Sequence, residues 1–427
     1  KPHERGGVMG LFGALAGIAA SLGPVIGGLL IHANIAGLDW RPIFLINIPV
    51  GIFALIAAYK YLPEGKSPHP LKLDLWGTFI VVLALFLLVF PLIQGRELGW
   101  PVWTFYMMAA ALPVFLLFGW WQKKKEQKDH SPLVTPSLLK VKTFVTGLIV
   151  NLVFQGAMIG FFLPFTLLIQ IGLGFDVITA ALTGIPTAVG ISLSIGLFGQ
   201  KLIPKLGRYA LSLGTVVMSI GLIMTYLFVK NTGVDTTPWE FVPGLLITGM
   251  GMGLVMAPIF AVVLTDVDAK HAGSASGVLN AIQQLGAAIG IAAIGLVFFG
   301  QLTHHSDASF TSVEPSIRAE LSKAQVPAET QAAIVSSVRT CYNDRASQTD
   351  ASVTPESCRK FESGPKTPET EKLAGIIKTA VKKANTENFI NAFKFAVIYE
   401  VSLAAVTFVL SFLLPRHIRP EAMEHAA

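Results

Sequence analysis

The chain has 427 residues, of which 52% are hydrophobic and 14% charged, with a mean hydropathy of +0.61 and a formal net charge of +6. Soluble domains carry about 25% charged residues, so this sequence lacks the polar surface of a soluble enzyme of its length, and its excess apolar surface must face lipid. Forty Gly and 25 Pro fall inside apolar runs rather than in a repeat, a placement that membrane helices tolerate.

A helix needs about 20 mostly apolar residues to cross roughly 30 Å of hydrocarbon. Nine stretches long enough for this contain no Asp, Glu, Lys or Arg: 6–38, 42–59, 75–95, 98–122, 143–175, 177–200, 209–229, 241–265 and 271–306. A tenth, 389–414, holds Lys394 and Glu400 but is otherwise apolar. The fold class expected is therefore all-α, a polytopic membrane protein with ten transmembrane helices. All seven Trp fall at or near the ends of these stretches, where indole prefers the headgroup boundary.

Lys and Arg concentrate in cytoplasmic loops. With the N-terminus inside, the short outer loops hold only Arg41, Arg96 and Lys230, whereas Lys123–Lys125, Lys140, Lys142, Lys201, Lys205 and Arg208 all fall inside. Both ends of the chain are then cytoplasmic, and the positive charge reads as topology, with no nucleic-acid partner. The segment 301–389 becomes an extracytoplasmic loop. It contains both cysteines, Cys341 and Cys358, and an oxidising compartment permits a disulfide between them. Two free thiols are the alternative. Helical periodicity over 315–340 points to a small helical cap.

The first stretch reads Gly10-Leu-Phe-Gly13-Ala-Leu-Ala-Gly17-Ile-Ala-Ala20-Ser-Leu-Gly23-Pro24-Val-Ile-Gly27-Gly28. Its small residues recur at helical spacing and let a neighbouring backbone approach, and Pro24 bends the helix. The run Gly17, Gly23, Pro24, Gly27, Gly28 resembles the antiporter motif of the major facilitator superfamily. Trp40-Arg41-Pro-Ile-Phe-Leu-Ile-Asn47-Ile-Pro49-Val-Gly51 and Leu73-Asp74-Leu-Trp76-Gly77 resemble its fourteen-span drug:proton antiporter branch. Ala272-Gly273-Ser-Ala-Ser276-Gly277 with Asn280 and Gln283-Gln284-Leu285-Gly286 looks like the penultimate span of that branch. The segment from Gly199 to Arg208 resembles its basic loop but has Pro204 where an Asp is usual.

This resemblance implies a major facilitator fold in which the ten stretches are the fifth to fourteenth spans of an N-terminally truncated chain. Residues 1–62 are then the end of the N-terminal helical half, and 63–142 are two inserted spans with a basic cytoplasmic linker. The spans of the C-terminal half occupy 143–300, the extracytoplasmic loop 301–389, and the last span and cytoplasmic tail 390–427. Transporters of this kind place cargo near the midplane between two halves. The cargo-lining candidates are Asn151, Phe154 and Gln155, then Met252 and Met256, then Asn280, Gln283 and Gln284. The amides serve a wet cavity or interhelical hydrogen bonds, and the methionines serve an adaptable apolar site or plain packing. Glu400, deep in its span, is the proton-coupling candidate by default; a structural pairing with Lys394 or Tyr399 is the other reading. Asp266 and Asp268 belong to packing or gating at a helix end.

No metal spacing, nucleotide loop or nucleophile triad appears, so no cofactor and no enzymatic activity are expected. Gly249-Met-Gly251-Met-Gly253 reads as helix packing. The expected function is export of amphipathic drugs or small metabolites against protons by alternating access, in the bacterial inner membrane. The alternative is export of a specific endogenous compound, such as a fatty acid, siderophore or peptide, with a periplasmic adaptor on loop 301–389.

Overall fold

The computed structural model describes residues 23, 26–61, 72–95, 98–129, 131–198, 203–268, 271–348, 354–362 and 368–416. Among them every regular element is helical and no strand occurs. Helix α1 covers 26–33, and α2 (Pro42–Leu45) leads into α3 (Asn47–Tyr61). The pair α4 (Leu75–Gln94) and α5 (Val102–Asp129) follows. The main body consists of α6 (Lys142–Leu167), α7 (Val177–Thr183) with α8 (Ile185–Leu193), the short α9 (Ile203–Leu206), α10 (Arg208–Thr232), α11 (Pro238–Val263), α12 (Ala272–Lys323) and α15 (Pro368–Ser411). Between the last two lie α13 (Ala328–Ser347) and α14 (Glu356–Glu362).

Nine helices among the described residues are long and apolar enough to cross a membrane. They coincide with nine of the ten expected spans; most of the tenth, 6–38, lies outside the described residues. Helices α3, α4 and α5 leave Phe53, Leu55, Leu75, Phe105 and Leu116 exposed, as lipid contact requires. The buried core sits where α6, α10, α11, α12 and α15 meet, around Phe144, Phe154, Phe161, Phe241, Phe298 and Phe393. The protein is a multi-pass membrane protein.

Between helices in lipid no hydrophobic effect drives packing, so close backbone approach has to supply the attraction. Glycine supplies it here. A Cβ on Gly290 of α12 would stand 2.2 Å from the Gly156 carbonyl of α6, and one on Gly286 would stand 2.5 Å from the Leu152 carbonyl. Helix α11 does the same on two sides. Gly249 and Gly253 meet the Thr187 and Ile191 carbonyls of α8, while Gly244 and Gly251 meet Thr225 and Met218 of α10. The Gly249–Gly253 run is therefore a packing surface.

Helix ends explain the connections. Asp74 caps α4 by accepting from the Gly77 amide at 2.9 Å. Asp176 caps α7 through the Ile178 and Thr179 amides, and Thr237 with Glu240 forms a capping box at α11. Pro164 lies inside α6, and a wide π turn, Leu168–Gly172, follows it; a missing hydrogen bond and a π turn together account for the break.

The described residues of the segment expected as a loop, 301–389, form a helical cap continuous with the spans on either side. Phe310, Val313, Ile317 and Leu321 keep a single helical face past the apolar run, so α12 continues to Lys323 instead of ending. That face packs on Val335, Val338, Tyr342 and Ala384, which together form a second core. Arg339 binds Asp307 through two nitrogens, at 2.7 and 2.5 Å, and joins α13 to α12. Cys341 and Cys358 are disulfide-bonded and join α13 to α14. The cap grips α6 at its π turn. The Asn385 amide donates to the Ile171 carbonyl at 2.9 Å, and the Thr386 hydroxyl donates to the Gly172 carbonyl at 2.6 Å.

The opposite end of the bundle is tied by the basic linker. Gln122 accepts from the Val134 amide at 3.1 Å, and Ser274 at the start of α12 accepts from the Thr135 amide at 3.2 Å. Arg208 donates to the Phe412 and Leu414 carbonyls at the end of α15. Residues 199–202, the start of the loop resembling the family's basic motif, lie outside the described residues.

Candidate functional site

Two features of the bundle interior have chemical potential, and both use α6. The first is Glu400. It projects from α15 to the glycine seam between α6 and α12, where a Cβ on Gly160 would stand 2.7 Å from its Oε1 and 3.5 Å from the Gly290 carbonyl. The side chain is 1% exposed, and neither carboxylate oxygen has a hydrogen-bond partner. With Asp74 at a helix end, it is one of two buried acids among the described residues. Leaving an acid unpaired inside a membrane bundle is costly, and such an acid is a functional candidate by default. Neither Lys394 nor Tyr399 bonds to it.

The second feature is a cavity of about 440 Å³ between α1, α6 and α7–α8. Helices α1, α7 and α8 contribute the small residues Gly27, Gly28, Ala181 and Gly184 beside the aliphatic Ile31, Val177, Ile185 and Ile191; α6 and the π turn after it present Phe162, Phe165, Thr166 and Gln170. Its volume lies within the range of roughly 300–1,000 Å³ common for small-molecule sites.

The expected residues are distributed around these features rather than gathered in one. Gly23, Gly27 and Gly28 of the antiporter-like run line the cavity, and a Cβ on Gly28 would stand 3.7 Å from Ala181 Cβ; Gly17 and Pro24 lie outside the described residues. Asn151 is buried and donates to the Leu279 carbonyl at 3.4 Å, so its amide bridges α6 to α12 while its Oδ1 stays unpartnered. Phe154 and Met252 are fully buried in the core, and Met256 packs against it. Gln155 and Gln283 are half-buried. Asn280 and Gln284 are exposed on one face of α12, with the Asn280 amide donating to the Ser276 carbonyl of its own helix. None of these eight lines the cavity. Asp266 accepts from the Thr143 hydroxyl at 2.6 Å and so holds the end of α11 to the start of α6.

Two signals in the sequence pointed to what was missed. Gln155, Phe162, Thr166 and Gln170 follow one helical face, which carries Thr and Gln into the cavity. The pairs Gly156/Gly160 and Gly286/Gly290 are each a G-x-x-x-G in an apolar stretch, the spacing of a close helix crossing.

A helical membrane bundle with an apolar cavity and a buried, unpaired acid fits one class, the membrane transporters of small molecules. Residues 1–291 match the family model described as Major Facilitator Superfamily, and the chain belongs to that superfamily. It is 38% identical over 420 residues to a protein of Streptomyces coelicolor named probable actinorhodin transporter, covering 98% of this chain and 72% of the relative. It is 28% identical over 302 residues to the multidrug resistance protein Stp of Mycobacterium tuberculosis, covering 70% of this chain and 54% of the relative. It is 29% identical over 314 residues to a methylenomycin A resistance protein of Bacillus subtilis, covering 72% of this chain and 64% of the relative. The chain thus spans about three quarters of the first relative and between half and two thirds of the other two.

Proposed function

We propose that the chain belongs to a proton-coupled exporter of antibiotic-like small molecules, working by alternating access in a bacterial inner membrane. On this reading it is of the fourteen-span drug:proton branch, with the ten spans as the fifth to fourteenth. Its two ends and the basic linker face the cytoplasm, and the cap faces outward. The cargo is of the kind named for the relatives, an antibiotic or drug.

One observation carries the coupling: the partnerless carboxyl of Glu400, held where α6, α12 and α15 cross. A proton bound there interacts with three helices at once. A change in their crossing then changes access to it, which is what exchange of a proton for cargo requires. Asn151, Gln155, Asn280, Gln283 and Gln284 are the polar groups available to a cargo path, with Phe154, Met252 and Met256 as adaptable packing beside it. In the antiporter-like run, Gly28 lets α1 approach Val177 and Ala181 of α7.

The test is efflux of a fluorescent substrate from vesicles with an imposed pH gradient. Glu400→Gln is expected to abolish gradient-driven efflux while leaving downhill exchange of labelled for unlabelled substrate. Gradient dependence that survives the substitution refutes the role of Glu400. A second reading, docking of a periplasmic adaptor, is favoured by the cap's own core and ion pairs; deleting 324–367 with no loss of export would count against it.

A further inference from the structure

We propose that the cavity between α1, α6 and α7–α8 is a cargo site for a flat, ring-bearing molecule without positive charge. This names the substrate class of the exporter proposed above and rests on that reading.

The first argument is charge. The residues that line the cavity include no Asp, Glu, Lys or Arg, and the apolar stretches they belong to, 6–38, 42–59, 143–175 and 177–200, contain none either. Two acids flank them in sequence: Asp39 is exposed beyond the end of α1, and Asp176 is committed to the start of α7, where the Ile178 and Thr179 amides and the Thr179 hydroxyl all donate to it. A cation entering this cavity would give up its hydration with no counter-charge to replace it. Attraction to the Phe162 and Phe165 rings is smaller than that loss. An uncharged molecule meets no such penalty.

The second argument is shape. Gly27, Gly28, Ala181 and Gly184 leave room beside the aliphatic Ile31, Val177, Ile185 and Ile191, so α1, α7 and α8 offer an apolar surface with little relief at its glycines. Helix α6 adds two phenyl rings to the lining. A rigid ring system fills such a slot with large contact area and little conformational entropy to lose. The third argument is polarity. Thr166 and Gln170, one turn apart on α6, are the polar side chains of the phenyl-bearing wall. A hydroxyl and a carboxamide each donate and accept, so they suit carbonyl or hydroxyl groups on the edge of a ring.

Nile red and ethidium are planar dyes of similar size, the first uncharged and the second a cation. Binding of each is measured on the protein in lipid nanodiscs at equal pH on both faces, with empty nanodiscs subtracted. Nile red is expected to bind at least tenfold more tightly than ethidium. In Gly27→Leu the new Cβ meets nothing closer than Ile43 Cδ1 at 4.0 Å, so the side chain grows into the cavity without a backbone clash, and Nile red affinity should fall about tenfold. Gln170→Glu supplies the missing counter-charge; ethidium affinity should rise on the order of tenfold while that of Nile red falls. Ethidium binding as tightly as Nile red to the unsubstituted protein overturns the proposal. So does Nile red binding that Gly27→Leu leaves unchanged, which would put the dye, or a lipid chain in its place, elsewhere. No proton gradient enters these measurements, so a failure of proton coupling at Glu400 would leave their outcome intact.

Discussion

Gly290→Ala is the sharpest probe of what holds the bundle together. The added methyl would stand 2.2 Å from the Gly156 carbonyl oxygen and 2.5 Å from the Gly156 Cα. Carbon–oxygen contacts between helices normally lie at about 3.3–3.6 Å, so α6 and α12 would have to part by about 1 Å. A gap of that size forfeits roughly a quarter to a half of each dispersion contact along the seam, and overpacking of this kind costs about 1–3 kcal/mol. Alanine in a helix interior returns about 0.5–1 kcal/mol over glycine. The net expectation is a loss of about 1–2 kcal/mol. Gly277 and Gly300 lie on the same helix, and a Cβ at either would have nothing within 4 Å. Gly277→Ala and Gly300→Ala should therefore be neutral or stabilising by about 0.5–1 kcal/mol. Unfolding by SDS titration in mild detergent, followed by circular dichroism, compares the three. Equal stability of Gly290→Ala and Gly277→Ala would refute the claim that glycine contact holds α6 to α12.

Asp74→Ala should cost about 2–3 kcal/mol, since it removes a helix cap and strands the half-buried Trp121 and the buried Gln122 donors, which reach Asp74 at 2.9 Å each; SDS titration reads it. Burial works against ionisation of Asp74, but the hydrogen bonds from Trp121, Gly77 and Gln122, with the Lys125 charge, outweigh it and hold the carboxyl below its ordinary value near 3.8. A depressed folded pKa means that this stabilisation is fully present above about pH 4 and fades as pH falls through the folded value, so the difference between Asp74→Asn and the unsubstituted protein should shrink only in that acid range. Replacing Cys341 and Cys358 by Ser should loosen the cap by about 3 kcal/mol through loop-closure entropy; hydrogen exchange should accelerate in α13 and α14 and stay unchanged in α10 and α11, and uniform protection would contradict the cap's being a separate unit.

What the sequence made legible follows from the length scale of each signal. The spans could be read because lipid demands some 20 apolar residues whatever the neighbours are. The cap was half legible. Periodicity over 315–340 was visible, but the continuation of α12 to Lys323 depends on Phe310, Val313 and Ile317 finding Val335 and Val338 across the cap, a contact no local pattern encodes. Glu400 could be singled out because an acid inside an apolar run is conspicuous. Its neighbours could not, because Gly160 and Gly290 meet it only through the crossing of three helices. Met252 shows the converse: it sits in a Met-Gly run that suits an adaptable site, yet the adjacent glycines draw α8 and α10 so close that its side chain is sealed in the core. The cavity was missed because part of its lining comes from residues that lack side chains, and its polar groups, Thr166, Gln170 and Thr187, are ordinary in a membrane helix.

The two features both use α6: Gly160 meets Glu400 on one face, and Phe162 lines the cavity on another. On the proposed reading, exchange of an uncharged cargo for a proton has an electrical consequence. An uncharged cargo exchanged for one proton moves one net positive charge per cycle, whereas a monovalent cation exchanged for one proton moves none. Each charge crossing the membrane gains about 2.3 kcal/mol per 100 mV, so a potential of that size, with no pH gradient, should drive an uncharged substrate to roughly 50-fold accumulation at equilibrium. Vesicles with equal pH on both faces and a potassium diffusion potential set by valinomycin supply the measurement. Accumulation of an uncharged substrate that ignores the potential would break the pairing of a neutral cargo with a single proton at Glu400. Potential-driven transport that vanishes in Glu400→Gln, while Nile red still binds, would tie the charge movement to that carboxyl and leave the cavity as the place where cargo is chosen.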